Sequence, residues 1–398
     1  MNTKPFQMMQ GVFLIVGMQA LHVNAQSNLE TVKERFAKME SENLGKPYEG
    51  IITSKGIEKG LFSVQTTGVT TKPVKTAAER FLKSLTKLQR AKIQFRIEDN
   101  EWQKWSNIDN GLYQRQGVSI KEMSQTQREL AFQLMERALS AKGLQLSKDI
   151  MKTDQTLREL NNGDPIYDEN LYFFTVMGTP SMNEPWGWQI DGHHLVINYF
   201  ILGDQVVMTP VFMGGEPIIT TSGKYNGNRI FQDEQNIGLH FMQSLSSEQQ
   251  TQATMSPEKN GNSIQAQASS DNKTIDFEGL ISSKLTEVQK EELLGLINQY
   301  ISNMEDGHAK VTMDDIKKHL NETWFSWIGK SDDDAVFYYR IHSPVILIEF
   351  DHQNPVGIKG SEHGPTRNHI HSIVRTPNGN DYGKDLLRQH LLKHHSNK

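Results

Sequence analysis

His369 and His371 stand two residues apart in the run from Asn368 to Val374, which reads as a β-strand. Alternate residues of a strand project from one face, so both imidazoles can grip one ion. They belong to a cluster: His342, His352, His363, His369 and His371 fall within thirty positions, and the chain has 14 histidines in all. An even spread would put about one there. A second group, Asp191-Gly192-His193-His194, heads the apolar run Leu195 to Tyr199. Strand alternation puts His194 on the face of Val196 and Asn198, and sets His193 behind it as a packing or supporting ligand. Glu349 falls 151 residues after Asn198, and Asp351 two further on, so one of them is the expected carboxylate. Asp191 and Asp351 are also candidate orienters of the imidazoles. Cysteine is absent. Imidazoles with a carboxylate and no thiolate suit a catalytic zinc, an iron or a copper site. The same residues could equally be interior polar groups satisfied by hydrogen bonds.

Trp186 and Trp188 could stack on a sugar, and with Arg375 they form the candidate substrate-binding set, although paired aromatics also build cores. Other chemistries find little footing. No Gly-x-Ser-x-Gly elbow occurs, and neither a Gly-x-Gly-x-x-Gly nor a Walker sequence is present.

Helix starts and strand pairs must position these residues. Thr86-x-x-Gln89, Ser124-x-x-Gln127, Ser246-x-x-Gln249 and Thr286-x-x-Gln289 each have capping-box spacing, with Leu or Met just before the hydroxyl residue. The hydroxyl positions are 38 residues apart in the first pair and 40 in the second, and the pairs are offset by 160 and 162. Phe174 to Gly178 resembles Phe325 to Gly329 at an offset of 151, and Leu195-Val196-Ile197 matches Ile346-Leu347-Ile348 at the same offset. The expected fold is α+β, an internal duplication of helices followed by antiparallel sheet, with the two sheets meeting at a pseudo-two-fold seam. The halves would cover 26–250 and 277–398, with a Gln/Ser/Asn-rich linker or loop at 251–276. A Gly/Pro-rich loop from Gln353 to Arg367 would border the site.

The chain has 398 residues, with 42 Lys+Arg against 47 Asp+Glu and 36% hydrophobic residues. That balance argues against a nucleic-acid partner or polybasic membrane anchor, and the apolar content can build a core. Lys4, the apolar stretch Gly11 to Met18 and the small-residue site Val23-Asn24-Ala25 read as a signal peptide over 1–25. A mature protein starting near Gln26, secreted or periplasmic and without stable membrane insertion, is expected.

Pro185-Trp186-Gly187-Trp188, Gly192-His193-His194-Leu195, Thr209-Pro210, the strand Ile346 to Asp351, and His369-Ile370-His371 followed by Arg375 to Gly383 resemble the bacterial family known as domain of unknown function 3500. The resemblance runs from about Thr76 to His390 and implies an exported protein with no established activity. Many relatives join strand and His-x-His by a shorter loop, whereas here His363 sits in an insertion. The residues favour a metal-dependent hydrolase acting on a small molecule or cell-surface polymer. The alternatives are a non-catalytic metal- or carbohydrate-binding module and an iron or copper oxidase.

Overall fold

The computed structural model describes residues 30–358 and 363–395. The expected signal peptide, 1–25, lies outside them. Helix α1 covers 30–44. Then come α2 (Lys72–Ser84), α3 (Lys87–Ile93), α4 (Gln125–Ala138) and α5 (Ala141–Leu160), followed by α6 (Gln232–Ser244) and α7 (Ser247–Ala253). The last three are α8 (Glu287–Ile301), α9 (Asp306–Lys318) and α10 (Lys384–His395).

All four capping boxes form. Thr86, Ser124, Ser246 and Thr286 each accept the amide three residues on, and the Gln there returns a bond to the cap backbone. Each cap contributes roughly 1 kcal/mol. The glutamines do a second job. Gln89 and Gln127 exchange side-chain amide bonds between α3 and α4, and Gln249 and Gln289 do the same between α7 and α8.

The strands are β1 (Gln94–Phe95), β2 (Val118–Ser119), β3 (Tyr172–Met177), β4 (Trp186–Gly192), β5 (Leu195–Leu202), β6 (Gln205–Val207) and β7 (Val211–Gly215). After α7 follow β8 (Thr254–Ser256), β9 (Leu280–Ile281), β10 (Trp324–Gly329), β11 (Phe337–His342), β12 (Leu347–His352) and β13 (Ile370–Arg375). They form one mixed sheet in the order β1-β3-β4-β5-β7-β13-β12-β11-β10-β8, with β2 on β3, β6 on β5 and β9 on β10. The strands of both expected halves therefore lie in a single sheet, joined in its middle by the antiparallel pair β7–β13, rather than in two sheets that meet at a seam. Either edge runs inward alike: a short strand parallel to the first long one, then antiparallel neighbours.

Alternation along the central strands divides the core between two faces. Ile348, Phe350, Val374, Met213 and Tyr339 face Phe81, Leu134, Leu239 and Leu293 of the helices. Val196, Phe212, Leu347 and Ile373 face Trp102, Trp105, Ile264, Ala266 and Tyr382. Segment 251–276 is thus no free linker. It completes α7, forms β8, and then crosses the second face, where Ile264 and Ala266 are buried. Polar side chains of the sheet hold it there, which is why a stretch without apolar periodicity is ordered.

Candidate metal centre

The site is built where two tight features of the sheet meet. β4 and β5 pair through Gly192 opposite Leu195, so His193 and His194 form the two-residue turn between them. Strand alternation does not apply to a turn, and the expectation that the two imidazoles diverge fails for that reason. Their rings stack, 3.9 Å between centroids. His194 adopts φ +62°, a left-handed conformation that costs a β-carbon residue roughly 1–2 kcal/mol. The turn tolerates that strain and gains an imidazole where glycine would be easier.

β13 supplies the remaining imidazoles. His371 lies on the strand opposite Gly214 of β7, and His369 immediately precedes the strand. Glycine at 214 is required by space. A β-carbon there would lie 2.7 Å from the Ile370 carbonyl oxygen, 3.1 Å from His371 Cδ2 and 3.3 Å from His194 Cδ2.

Three ring nitrogens converge. His369 Nε2 is 3.0 Å from His371 Nε2 and 3.3 Å from His194 Nε2, and one ligand atom from each of the three residues lies within 4.8 Å of the others. Metal–nitrogen bonds of about 2.0–2.1 Å place neighbouring ligand nitrogens about 2.8–3.4 Å apart, so the spacing fits a shared cation. The His369 Nδ1–H donates to the Asn354 carbonyl at 2.7 Å. A carbonyl only accepts, so the neutral ring carries its proton on Nδ1 and its lone pair on Nε2, aimed at the meeting point. Glu216 Oε2 stands 3.6 Å from the same Nδ1. The Nδ1 atoms of His194 and His371 are buried without a hydrogen-bond partner among the described residues. Burial, then the neighbouring imidazoles, holds His194 and His371 well below the usual histidine range, and burial also lowers His369. Neutral rings are the form that binds a metal.

His193 stands behind this trio. Its Nδ1 is 2.5 Å from Asp154 Oδ1 of α5, and the Tyr172 hydroxyl lies 2.8 Å from Asp154 Oδ2 and 3.0 Å from the His193 carbonyl oxygen. His193 and His371 each keep 8% of their surface exposed, against 3% for His194 and His369.

The other candidates have different partners, although Asp351 of β12 stands directly across the sheet from His371 of β13. Glu349 accepts the backbone amides of Gln265 and Ala266 and the Tyr338 hydroxyl. Asp351 takes the amides of Ser263 and Ile264 and pairs with Lys259 at 2.9 Å. Both carboxylates secure the crossing segment rather than joining the imidazoles. Asp191 pairs with Arg115. Trp186 and Trp188 are fully buried, the latter stacked on Tyr199 and Phe174 within the helix-side core. Arg375 is equally buried, its guanidinium engaged by Asp271, Asp381 and the carbonyls of Ala266 and Gln267. Such surroundings leave these three residues no face for a substrate. Nor does the sequence cluster persist whole: His352 accepts the Phe337 amide, and His342 packs on Phe277.

Asp154, Glu216, Asn354 and Gly214 complete the surroundings that residue spacing did not single out. One signal existed for Asp154: it falls four residues after Ile150 and three before Leu157, a carboxylate on the buried stripe of α5.

A family model described as "Protein of unknown function (DUF3500)" matches residues 67–384. The chain is a DUF3500 protein. The matched stretch of this DUF3500 chain contains all three converging histidines together with Asp154, Glu216 and Asn354. No curated protein and no solved structure matches it.

Proposed function

We propose that this DUF3500 protein is an exported, metal-dependent hydrolase whose centre is His194, His369 and His371. The observation that carries the reading is the convergence of three Nε2 atoms with the His369 tautomer set by Asn354. Three protein ligands leave a position for water, the arrangement of catalytic rather than structural zinc. A divalent cation bound there would lower the pKa of that water and polarise a carbonyl or phosphoryl oxygen. Zinc suits the all-imidazole set best, with iron or copper as variants. His193, held by Asp154, is the group placed to take a proton, and Glu216 and Asn354 orient His369.

Export rests on Lys4, the apolar stretch to Met18 and Val23-Asn24-Ala25. No helix among the described residues is long and apolar enough to cross a membrane. The internal duplication belongs to the same proposal. Beyond the paired glutamines, Gly117 and Gly279 share a left-handed φ, and a β-carbon on either would strike the carbonyl oxygen of the matching residue, Phe174 or Phe325. Experimental coordinates in which β3–β5 fail to superpose on β10–β12 would remove it.

A metal-binding module without turnover is the second reading, favoured by the near-complete burial of the trio. Elemental analysis of protein purified without chelators separates the outcomes. About one equivalent of metal, lost in His371→Ala, with chelator-sensitive cleavage of an ester, amide or phosphoester substrate, supports the hydrolase. Metal without turnover supports the module. No metal, before or after reconstitution, ends both.

A further inference from the structure

Under the opposite end of β7 and β13, on the helix-covered face, packing leaves a cavity of about 100 Å³. Met208, Val211, Met304 and Val374 give it apolar walls. It is separate from the histidine centre: His371 and Ser372 are consecutive, and it is Ser372 that lines the cavity. Val207, Thr312 and Asp315 border both the cavity and a polar groove with Ser63, Thr67 and His308, so a route leads in from the surface.

Most polar groups on the wall are already committed. Ser372 Oγ donates to the Met213 carbonyl at 2.8 Å, Tyr300 and Tyr339 share a hydroxyl–hydroxyl bond, and Glu234 is 3.5 Å from Lys142. Asn303 is the exception. It is 4% exposed, and its Oδ1 is buried with no hydrogen-bond partner among the described residues. Among the described residues its Nδ2 meets only the Met213 sulfur, at 3.9 Å. An unmet buried amide costs about 1–3 kcal/mol, and such groups in folded proteins call for a partner.

We propose that the cavity is a binding site for a compact, uncharged, largely apolar molecule bearing one hydroxyl, of the phenol class. An engineered apolar cavity of about 150 Å³ admits benzene; this one has about two thirds of that volume and opens on the polar groove past Val207, Thr312 and Asp315. Asn303 adds the selectivity. A phenolic hydroxyl can donate to Oδ1 or accept from Nδ2, so it satisfies the amide in either orientation. Benzene fits the walls and leaves Asn303 unpaired.

Titration of the full chain with phenol and with benzene, followed by ligand-observed NMR, tests this. Phenol should bind saturably and about tenfold more tightly than benzene, the effect of one buried hydrogen bond. Asn303→Leu should bring the two affinities together. Val345→Trp should abolish both by filling the space, with far-UV circular dichroism confirming the fold and Val206→Phe replacing it if it does not fold. Failure of phenol to saturate, or an unchanged preference in Asn303→Leu, overturns the proposal. So does a crystal soak in which a water stays on Asn303 in the presence of phenol.

Discussion

At the scale of single residues, Gly214 tests the proposed centre because its Cα hydrogen faces two of the converging histidines and it offers no ligand atom of its own. A methyl group there would press on His371 Cδ2, His194 Cδ2 and the Ile370 carbonyl together. Gly214→Ala should therefore lower metal affinity at least tenfold in a competition titration with a chromophoric chelator. Its cost to the metal-free fold should stay at about 1–3 kcal/mol, the usual range for overpacking. His342 supports a prediction away from the site. Burial first, and then the Arg340 charge, pushes its pKa from 6.5 down to about 3. The unfolded chain therefore binds the extra proton between those values, and the stability is present above pH 6.5 and lost as pH falls towards 3. Asp191, Asp351 and Asp381, pushed up to about 6 chiefly by burial, act in the opposite sense: their contribution is present below their unfolded pKa and lost as pH rises through 6. They are common to both proteins in a comparison of wild type with His342→Gln. Urea unfolding at pH 7 and pH 4 should show the wild type losing about 2–3 kcal/mol more than the variant.

At the scale of elements, the four helix starts were legible because a capping box is a contact over three residues, and nothing distant can rewrite it. The reciprocal Gln89–Gln127 bonds were not, since they depend on α3 lying against α4. A double-mutant cycle on Gln89→Ala and Gln127→Ala should return a coupling of about 0.5–1.5 kcal/mol by chemical denaturation. The same distinction explains the site. His369 and His371 were legible as a pair because one local period relates them. His194 does meet that pair, but not from the strand face expected of it, since the register of β4 on β5 converts the His193-His194 dipeptide into a turn. Glu349 and Asp351 alternate as expected along β12. What covers that face is segment 259–276, and its backbone amides bond both carboxylates, even though Asp351 is the cross-strand neighbour of His371. Asp154 and Glu216 reach the imidazoles only through the packing of α5 and the chain after β7, which no local pattern encodes.

At the scale of the whole molecule, the centre joins parts of the chain that the backbone keeps far apart. His194 and His369 are separated by 175 positions, yet both flank strands of one sheet whose middle pair, β7 and β13, links the first group of strands to the second. On the proposed function, an ion held by all three imidazoles would close a long loop and would bind only when that middle pair is formed. Ligand that binds the folded chain alone stabilises it by RT ln(1 + [L]/Kd), about 4 kcal/mol at a thousandfold excess over Kd. Zinc added to metal-free protein should raise the unfolding midpoint in calorimetry by several degrees and leave a single transition. His369→Gln should unfold at nearly the metal-free temperature and show no such shift, because its amide cannot restore the imidazole lone pair set by Asn354. A shift of equal size in that variant would mean that zinc acts elsewhere on the chain. A rise confined to one of two separable transitions would mean that the two groups of strands do not unfold as one sheet.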